Sequence, residues 1–322
     1  MYYLGVDGGG TKTKYVLINN TLETVGECES STIHIHQVGI DGIKSELKIN
    51  IKKVCEQAGI EVSDIKHVFL GVPGYGESLD DKNKIDKAIN EVMSGFMNVS
   101  YTVDNDAVNG WAAGTACKPG INIVAGTGSI AYGRNKDGKI ERSGGWGPTI
   151  GDDGSAYWIG LKTINAYTKQ KDGRAEKTVL VDILEENYNI KYHFEIVDII
   201  FNRIKLNRTE IAGFSKICFL AAEKGCPASI KIFEEAAINL YEHIKVLADK
   251  LQFNEEFIVS YTGGVFKAGK YVLEPLKLNL SKANLNYKIQ EPELEPWNGA
   301  ALLAFILDGN DIPSNYKEVM KK

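Results

Sequence analysis

Stretches that could cross a membrane are absent. No apolar run in the 322 residues approaches the ~18 needed to span a bilayer. The opening Met1-Tyr2-Tyr3-Leu4-Gly5-Val6-Asp7 has no basic segment and meets an Asp at once, so it is not expected to be a signal peptide. Paired cysteines are missing too. Cys28, Cys55, Cys117, Cys218 and Cys226 are odd in number and never stand as CxxC, which argues against a disulfide framework and a four-cysteine zinc site. Reduced thiols in a cytoplasmic protein are expected. Positive charge is not in excess: the formal net charge is −5, so neither nucleic acid nor an acidic membrane surface is an expected partner. There is no short-period repeat and no GxxxxGK[ST] loop. GxGxxG before a helix is also lacking, which leaves little for a dinucleotide reading.

Glycine is what the chain has, 33 residues, and it is clustered. The first 116 residues alternate strands and helices: strands over 2–6, 14–19 and 24–29, a helix over 40–58 closed by Gly59, a strand over 67–71, a helix over 85–93, a strand over 99–103 and a small-residue helix over 107–117. Lys118-Pro119-Gly120 is the best candidate boundary. A second round follows: strands from 121 through 132, a hairpin turn at 136–139, a mostly helical 152–251, a strand over 257–261 and a helix over 298–307. This recurrence predicts two related α/β folds facing a cleft.

Three Gly turns each follow an apolar strand. Asp7-Gly8-Gly9-Gly10-Thr11-Lys12-Thr13 offers close backbone N–H groups and hydroxyls to an anion. Asp7 suits holding a hydrated Mg²⁺ beside phosphate. Gly126-Thr127-Gly128-Ser129 repeats the chemistry, and Gly263-Gly264 follows a third strand. Asp106, just past strand 99–103, can take a proton from a substrate hydroxyl or cap the helix that starts at Ala107. Asp104 is an alternative that spacing does not separate from it. In Gly144-Gly145-Trp146-Gly147, the aromatic can cover a sugar face or gate a site. Asp152, in Gly151-Asp152-Asp153-Gly154-Ser155, can bind sugar hydroxyls or cap the next helix. His67 and His243 read as ordinary strand and helix residues. His34-x-His36 has metal-pair spacing but no evident third ligand.

Gly5 to Thr13 resembles the first phosphate motif of the actin-like ATPase and sugar kinase superfamily. Ala125 to Ser129 resembles its second phosphate motif, and Thr262-Gly263-Gly264-Val265 its adenosine motif. Gly144 to Gly147 with Gly151 to Gly160 is similar to N-acetylglucosamine kinases of the BadF/BadG/BcrA/BcrD-type ATPase family, and the likeness runs through essentially the whole chain in order. The resemblance implies an α/β fold of two actin-like (ribonuclease H-like) ATPase domains, 1–117 and 118–322, with a terminal helix about 298–322 packing back on the first. It implies ATP and Mg²⁺ as cofactors. Thr11, Thr127, Gly263 and Lys267 fall at nucleotide positions, with Gly9, Gly10, Lys12, Gly128 and Gly264 from the same motifs and Ala212 at a weaker one. Asp106 falls at the carboxylate that binds the sugar and acts as base. Ser129, Ile130, Gly145, Trp146, Gly147 and Asp152 fall at sugar positions.

The chain departs from the family at Ser31-Thr32-Ile33-His34-Ile35-His36, where either Ile33 or His34 takes the place of an Asn; His34 is carried here as a sugar residue. Ile130 is also apolar where the vertebrate kinase has Asn. A less polar wall could admit the lactyl group of N-acetylmuramic acid. The expected activity is ATP-dependent phosphorylation of an N-acetylated amino sugar, N-acetylglucosamine to its 6-phosphate, by a homodimer. A glucosamine kinase is one alternative. Another is an ATPase activator of a radical dehydratase or reductase, which needs cluster ligands that these Cys do not supply. A third is a sugar-sensing regulator, which would usually carry a helix-turn-helix.

Overall fold

The computed structural model describes residues 1–97, 99–283 and 285–320. They form two compact units: 1–120 together with 290–322, and 121–289.

In the first unit the chain runs β1 (Tyr2–Gly8), β2 (Lys12–Asn19), β3 (Thr24–Ser31), α1 (Ile35–Ala58), β4 (Ile65–Val72), α2 (Leu79–Met93), β5 (Ser100–Asn105) and α3 (Ala107–Thr115). The sheet order is β3-β2-β1-β4-β5. β1 is antiparallel to β2 and parallel to β4, and β4 is parallel to β5. Strands β1 and β4 are buried almost throughout, as parallel strands covered on both faces must be. Leu4, Val6, Leu70 and Val72 from the sheet meet Ile43, Leu47 and Ile51 of α1 and Ile85 and Ile89 of α2. The C-terminal ends of β1, β4 and β5 therefore share one edge, the usual place for a site in such sheets.

The second unit contains β6 (Gly120–Ala125), β7 (Ser129–Arg134), β8 (Ile140–Gly144), α4 (Ala156–Lys171), α5 (Val179–Tyr188), α6 (Glu195–Asp198), α7 (Arg208–Glu223), α8 (Pro227–Leu251), β9 (Phe257–Thr262), α9 (Lys270–Lys282) and β10 (Tyr287–Gln290). Its sheet order, β10-β9-β6-β7-β8, repeats the first when β6 is set against β1 and β7 against β2. Ile123 and Val259 of the sheet pack with Phe233, Leu240 and Ile244 of α8 and Leu276 of α9. A satellite core joins Leu180 and Leu184 of α5 to Phe214 of α7.

The chain then returns. α10 (Pro296–Leu307) packs on β1 and α3, and α11 (Tyr316–Met320) follows it. The second compact unit thus differs from a domain spanning 118–322. The segment from Gln290 packs in the first unit because α10 is apolar nearly all round, with Gly299, Ala300, Ala301 and Ala304 buried in close contact with that unit's elements.

Elements differ from expectation where apolar periodicity is weak. α2 begins at Leu79 rather than 85, because Ser78 caps it by accepting from the Asp81 N–H, and Asp80 and Asp81 suit the positive end of the helix. α1 begins at Ile35 rather than 40, across a break at Gly39. The edge strand β10, Tyr287-Lys288-Ile289-Gln290, alternates but is only four residues long, too short for its pattern to mark a strand. Among the described residues, no helix is long and apolar enough to cross a membrane.

Candidate active site

In the first unit, register places Asp7, Gly71 and Asp104 side by side across β1, β4 and β5. Any side chain at Gly71 would overlap the Asn109 carboxamide. Its absence lets Asn109, on α3, lie over β4 and donate to Asp7 Oδ1 at 2.7 Å. Burial pushes the Asp7 carboxyl up to about 6, against the pull of that hydrogen bond. Asp106 stands just beyond β5. Burial first, then the neighbouring charges of Asp7 and Glu77, push its carboxyl up to about 7. Asp106 stands at the N-cap position of α3 without a side-chain cap bond of good geometry, and Asn105 Oδ1 accepts the Ala107 N–H at 3.0 Å. Asp104 is turned to its own backbone, accepting the Asn105 N–H at 2.7 Å. The Asp106 carboxyl feels the Asp7 charge.

Gly9, Gly10, Thr11 and Lys12 form the turn between β1 and β2, closed by the Gly9 N–H donating to Lys12 O at 2.8 Å. Thr11 is exposed, and Lys12 pairs with Glu29 at 2.7 Å. The loop at 32–37 is tied to this turn. Thr32 Oγ1 donates to Gly9 O at 2.7 Å and Gln37 Nε2 to Gly10 O at 2.8 Å. Ile33 is fully buried in the core, whereas His34 is half-buried and caps α1 by accepting the His36 N–H. Between these two, His34 is the side chain with access to a ligand. His36 pairs with Asp81 at 3.0 Å, and no cluster of three metal-ligating side chains occurs among the described residues.

In the second unit, Gly126 to Gly128 turns between β6 and β7. The Ala156 N–H donates to Gly126 O at 2.8 Å, so the start of α4 backs the turn. Gly263 abuts its base at Ala125, and Gly264 opens a 3-10 turn over Gly264–Ala268 that carries exposed Lys267. Ala212 is buried within α7. Ser129 Oγ donates to Asp153 O at 2.7 Å, and the Gly145 N–H donates to Ser129 O at 2.9 Å, which joins the turn to the Gly145-Trp146-Gly147 loop. Ile130 is half-buried beside Gly145. Trp146 is 64% exposed, with Arg142 over its ring at 5.6 Å.

Asp152 is 3% exposed. It does not cap α4: Ser155 does, accepting the Trp158 N–H at 3.2 Å. Asp152 accepts instead from the Ser129 N–H and from Arg208 Nη2, at 3.4 and 2.5 Å. Asn109 and Arg208 were not foreseen. Each bridges more than 50 residues of chain, 102 from Asn109 to Asp7 and 56 from Arg208 to Asp152, so local spacing carries no signal for either.

Each unit thus carries a five-stranded sheet of matching order with a Gly turn after its first strand, and the first unit gathers acids at its strand ends. The chain belongs to the BadF/BadG/BcrA/BcrD ATPase family, whose model matches residues 4–304. It is 32% identical over 307 residues to the N-acetylmuramic acid/N-acetylglucosamine kinase of Clostridium acetobutylicum, covering 94% of this chain and 98% of that one. Identity to the N-acetyl-D-glucosamine kinase of Dictyostelium discoideum is 30% over 312 residues, covering 94% and 97%. A candidate N-acetylglucosamine kinase from Chromobacterium violaceum, known as a crystal structure, superposes with a TM-score of 0.69 at 22% identity, over 94% of this chain and 98% of that one. That likeness carries the fold alone, an α/β architecture with two five-stranded sheets.

Proposed function

We propose that the chain is an ATP-dependent kinase that transfers a phosphoryl group to the 6-hydroxyl of N-acetylglucosamine and also accepts N-acetylmuramic acid. What supports this reading is the chain's similarity to N-acetylated amino sugar kinases together with the placement of Asp106 just beyond β5, near the Asp7 charge, where its carboxyl is raised to about 7. A general base works best with a pKa near the operating pH, and a hydroxyl acceptor in phosphoryl transfer needs one. Asp106 orients the sugar hydroxyl and takes its proton. Asp152, Ser129 and the Gly145-Trp146-Gly147 loop bind the sugar in the second unit, with His34 at the first unit's loop. Ile130 and Trp146 make an apolar wall that tolerates a lactyl substituent. The backbone of Gly9 to Lys12 and of Thr127 to Gly128 receives phosphates, and Gly263, Gly264, Lys267 and Ala212 serve the rest of the nucleotide.

The donor set fits Mg²⁺ carried on a nucleotide. Such an ion keeps most of its waters and needs one or two protein carboxylates, not a cage, and Asp7 supplies one, held in place by Asn109. The ion would neutralise charge on the phosphates. Asp7 would hold the ion through water. We expect a homodimer, checked by mass in solution.

The test is ADP release with glucose, glucosamine, N-acetylglucosamine, N-acetylmannosamine and N-acetylmuramic acid, with and without excess chelator. N-acetylglucosamine is expected to be best and N-acetylmuramic acid to turn over. Glucosamine and glucose should be poorer, since they leave acetamido partners unpaired. Glucose outcompeting N-acetylglucosamine would overturn the substrate, and full activity in chelator would overturn the metal.

A further inference from the structure

Arg208 opens α7 and reaches the Gly126–Ser129 turn. Its Nη2 bonds Asp152 Oδ2 at 2.5 Å and occupies the space where a side chain at Gly128 would stand. The Arg208 side chain is 45% exposed while that of Asp152 is 2% exposed. Asp152 also sits at a left-handed backbone position, φ 58°, so its direction is set by its surroundings. The other charged or titratable groups around it do not replace Arg208. Asp153 is a second acid. His243, on α8, has its pKa lowered chiefly by burial and is neutral at pH 7. From β7 comes only the Ser129 N–H at 3.4 Å. A carboxylate this buried stays ionised only with a partner charge or strong donors.

We propose that Arg208 is a positioning residue: through its ion pair it keeps Asp152 an ionised acceptor, aimed for a sugar hydroxyl. The inference rests on the reading of Asp152 as a sugar ligand. Arg208 takes one oxygen and supplies the only cation in contact with the carboxylate among the described residues. The other oxygen, with one long hydrogen bond, is left to accept from substrate. Without Arg208, the acid holds its proton to higher pH, and a protonated carboxyl offers a donor where an acceptor is required.

The experiment has two arms. In the first, thermal midpoints are measured for wild type, Arg208→Met and Arg208→Met with Asp152→Asn, at about pH 5 and about pH 8. An unpaired buried acid has a folded pKa above its unfolded one, so its stability is lost as pH rises. Arg208→Met should therefore fall further below wild type at the higher pH, and Asp152→Asn should restore most of that extra loss. An equal loss at both pH values, or no recovery, overturns the proposal.

In the second arm, Arg208→Met should raise KM for N-acetylglucosamine by about 10-fold or more near pH 6.5, with the excess shrinking as pH rises. KM for ATP should stay within about threefold, because the lost partner belongs to the sugar. Arg208→Lys should restore a wild-type pH dependence of the sugar KM. A wild-type sugar KM in Arg208→Met, or equal rises for sugar and ATP, overturns the proposal. If wild type phosphorylates no N-acetylated sugar, it is the functional reading that fails, and the melting arm still decides whether Arg208 holds Asp152 ionised.

Discussion

The two units solve the problem of a recessed acid in opposite ways. In the first, burial raises both Asp7, to which Asn109 is the neutral hydrogen-bond donor, and Asp106, which the Asp7 charge raises further; the two carboxyls stand at about 6 and about 7. In the second, Asp152 is the more buried residue, yet it is met by a guanidinium at 2.5 Å. An acid without a cation becomes a better proton acceptor. An acid clamped by one becomes a hydrogen-bond acceptor held in a fixed direction. The sheet topology is duplicated, and the chemistry built on the two copies is not.

The largest effect should come from breaking the proton-accepting side. Asp106→Asn keeps the shape and removes the base, so kcat should fall by about 10²-fold to 10⁴-fold while nucleotide affinity holds. Steady-state kinetics beside direct nucleotide titration measure the two separately. Near-normal turnover would remove Asp106 from the chemistry.

Breaking the clamped side should act on binding instead. Asp152→Ala is expected to raise KM for N-acetylglucosamine by about 10-fold or more with little change for ATP, because it removes a charged acceptor from a sugar hydroxyl. Equal rises for both substrates would reassign Asp152 to folding.

The pH profile sharpens the contrast without mutation. Log kcat/KM should rise with pH through an apparent pKa near 7 and flatten above it, since Asp106 must be ionised in the free enzyme to accept a proton. That value belongs to the Asp7 and Asp106 pair as a unit. The limb should vanish in Asp106→Asn and persist in Asp152→Ala. A profile flat from about pH 5 to 8 in wild type would sink the assignment.

What the sequence reveals follows from how local each feature is. The three Gly turns are legible because each stands directly after an apolar strand, and those strands are β1, β6 and β9. The helix end at Gly59 is legible because a left-handed cap there favours glycine. Whether Asp106 or Asp152 was a ligand or a cap could not be read from spacing. Asn105 and Ser155 compete for the cap at the same helix starts, and only the folded geometry shows which side chain accepts there. Arg208 and Asn109 stand in no motif. Their partners are set by tertiary approach over Gly128 and Gly71. The return of the terminal helix comes from the family resemblance and not from local pattern: α10 is apolar nearly all round and names no partner.

The smallest effect is on stability, and it should differ in sign between the two sites. Asp106 has a folded pKa of about 7 against an ordinary value of 3.8, so between those values the folded state binds more protons than the unfolded one. Its ionisation therefore costs stability as pH rises through that window, and the full cost is present above pH 7. Asp106→Asn removes the cost. Its thermal midpoint should exceed wild type by on the order of a few degrees at about pH 8, and the gain should shrink towards zero near pH 4. Asp152→Ala should do the reverse at about pH 8, lowering the midpoint, because it strands the Arg208 guanidinium and opens space beside the Gly126–Ser129 turn. Scanning calorimetry of both variants at the two pH values makes the comparison. A destabilised Asp106→Asn at high pH would mean that its carboxylate is paired as Asp152 is, and the distinction between the two sites would be lost.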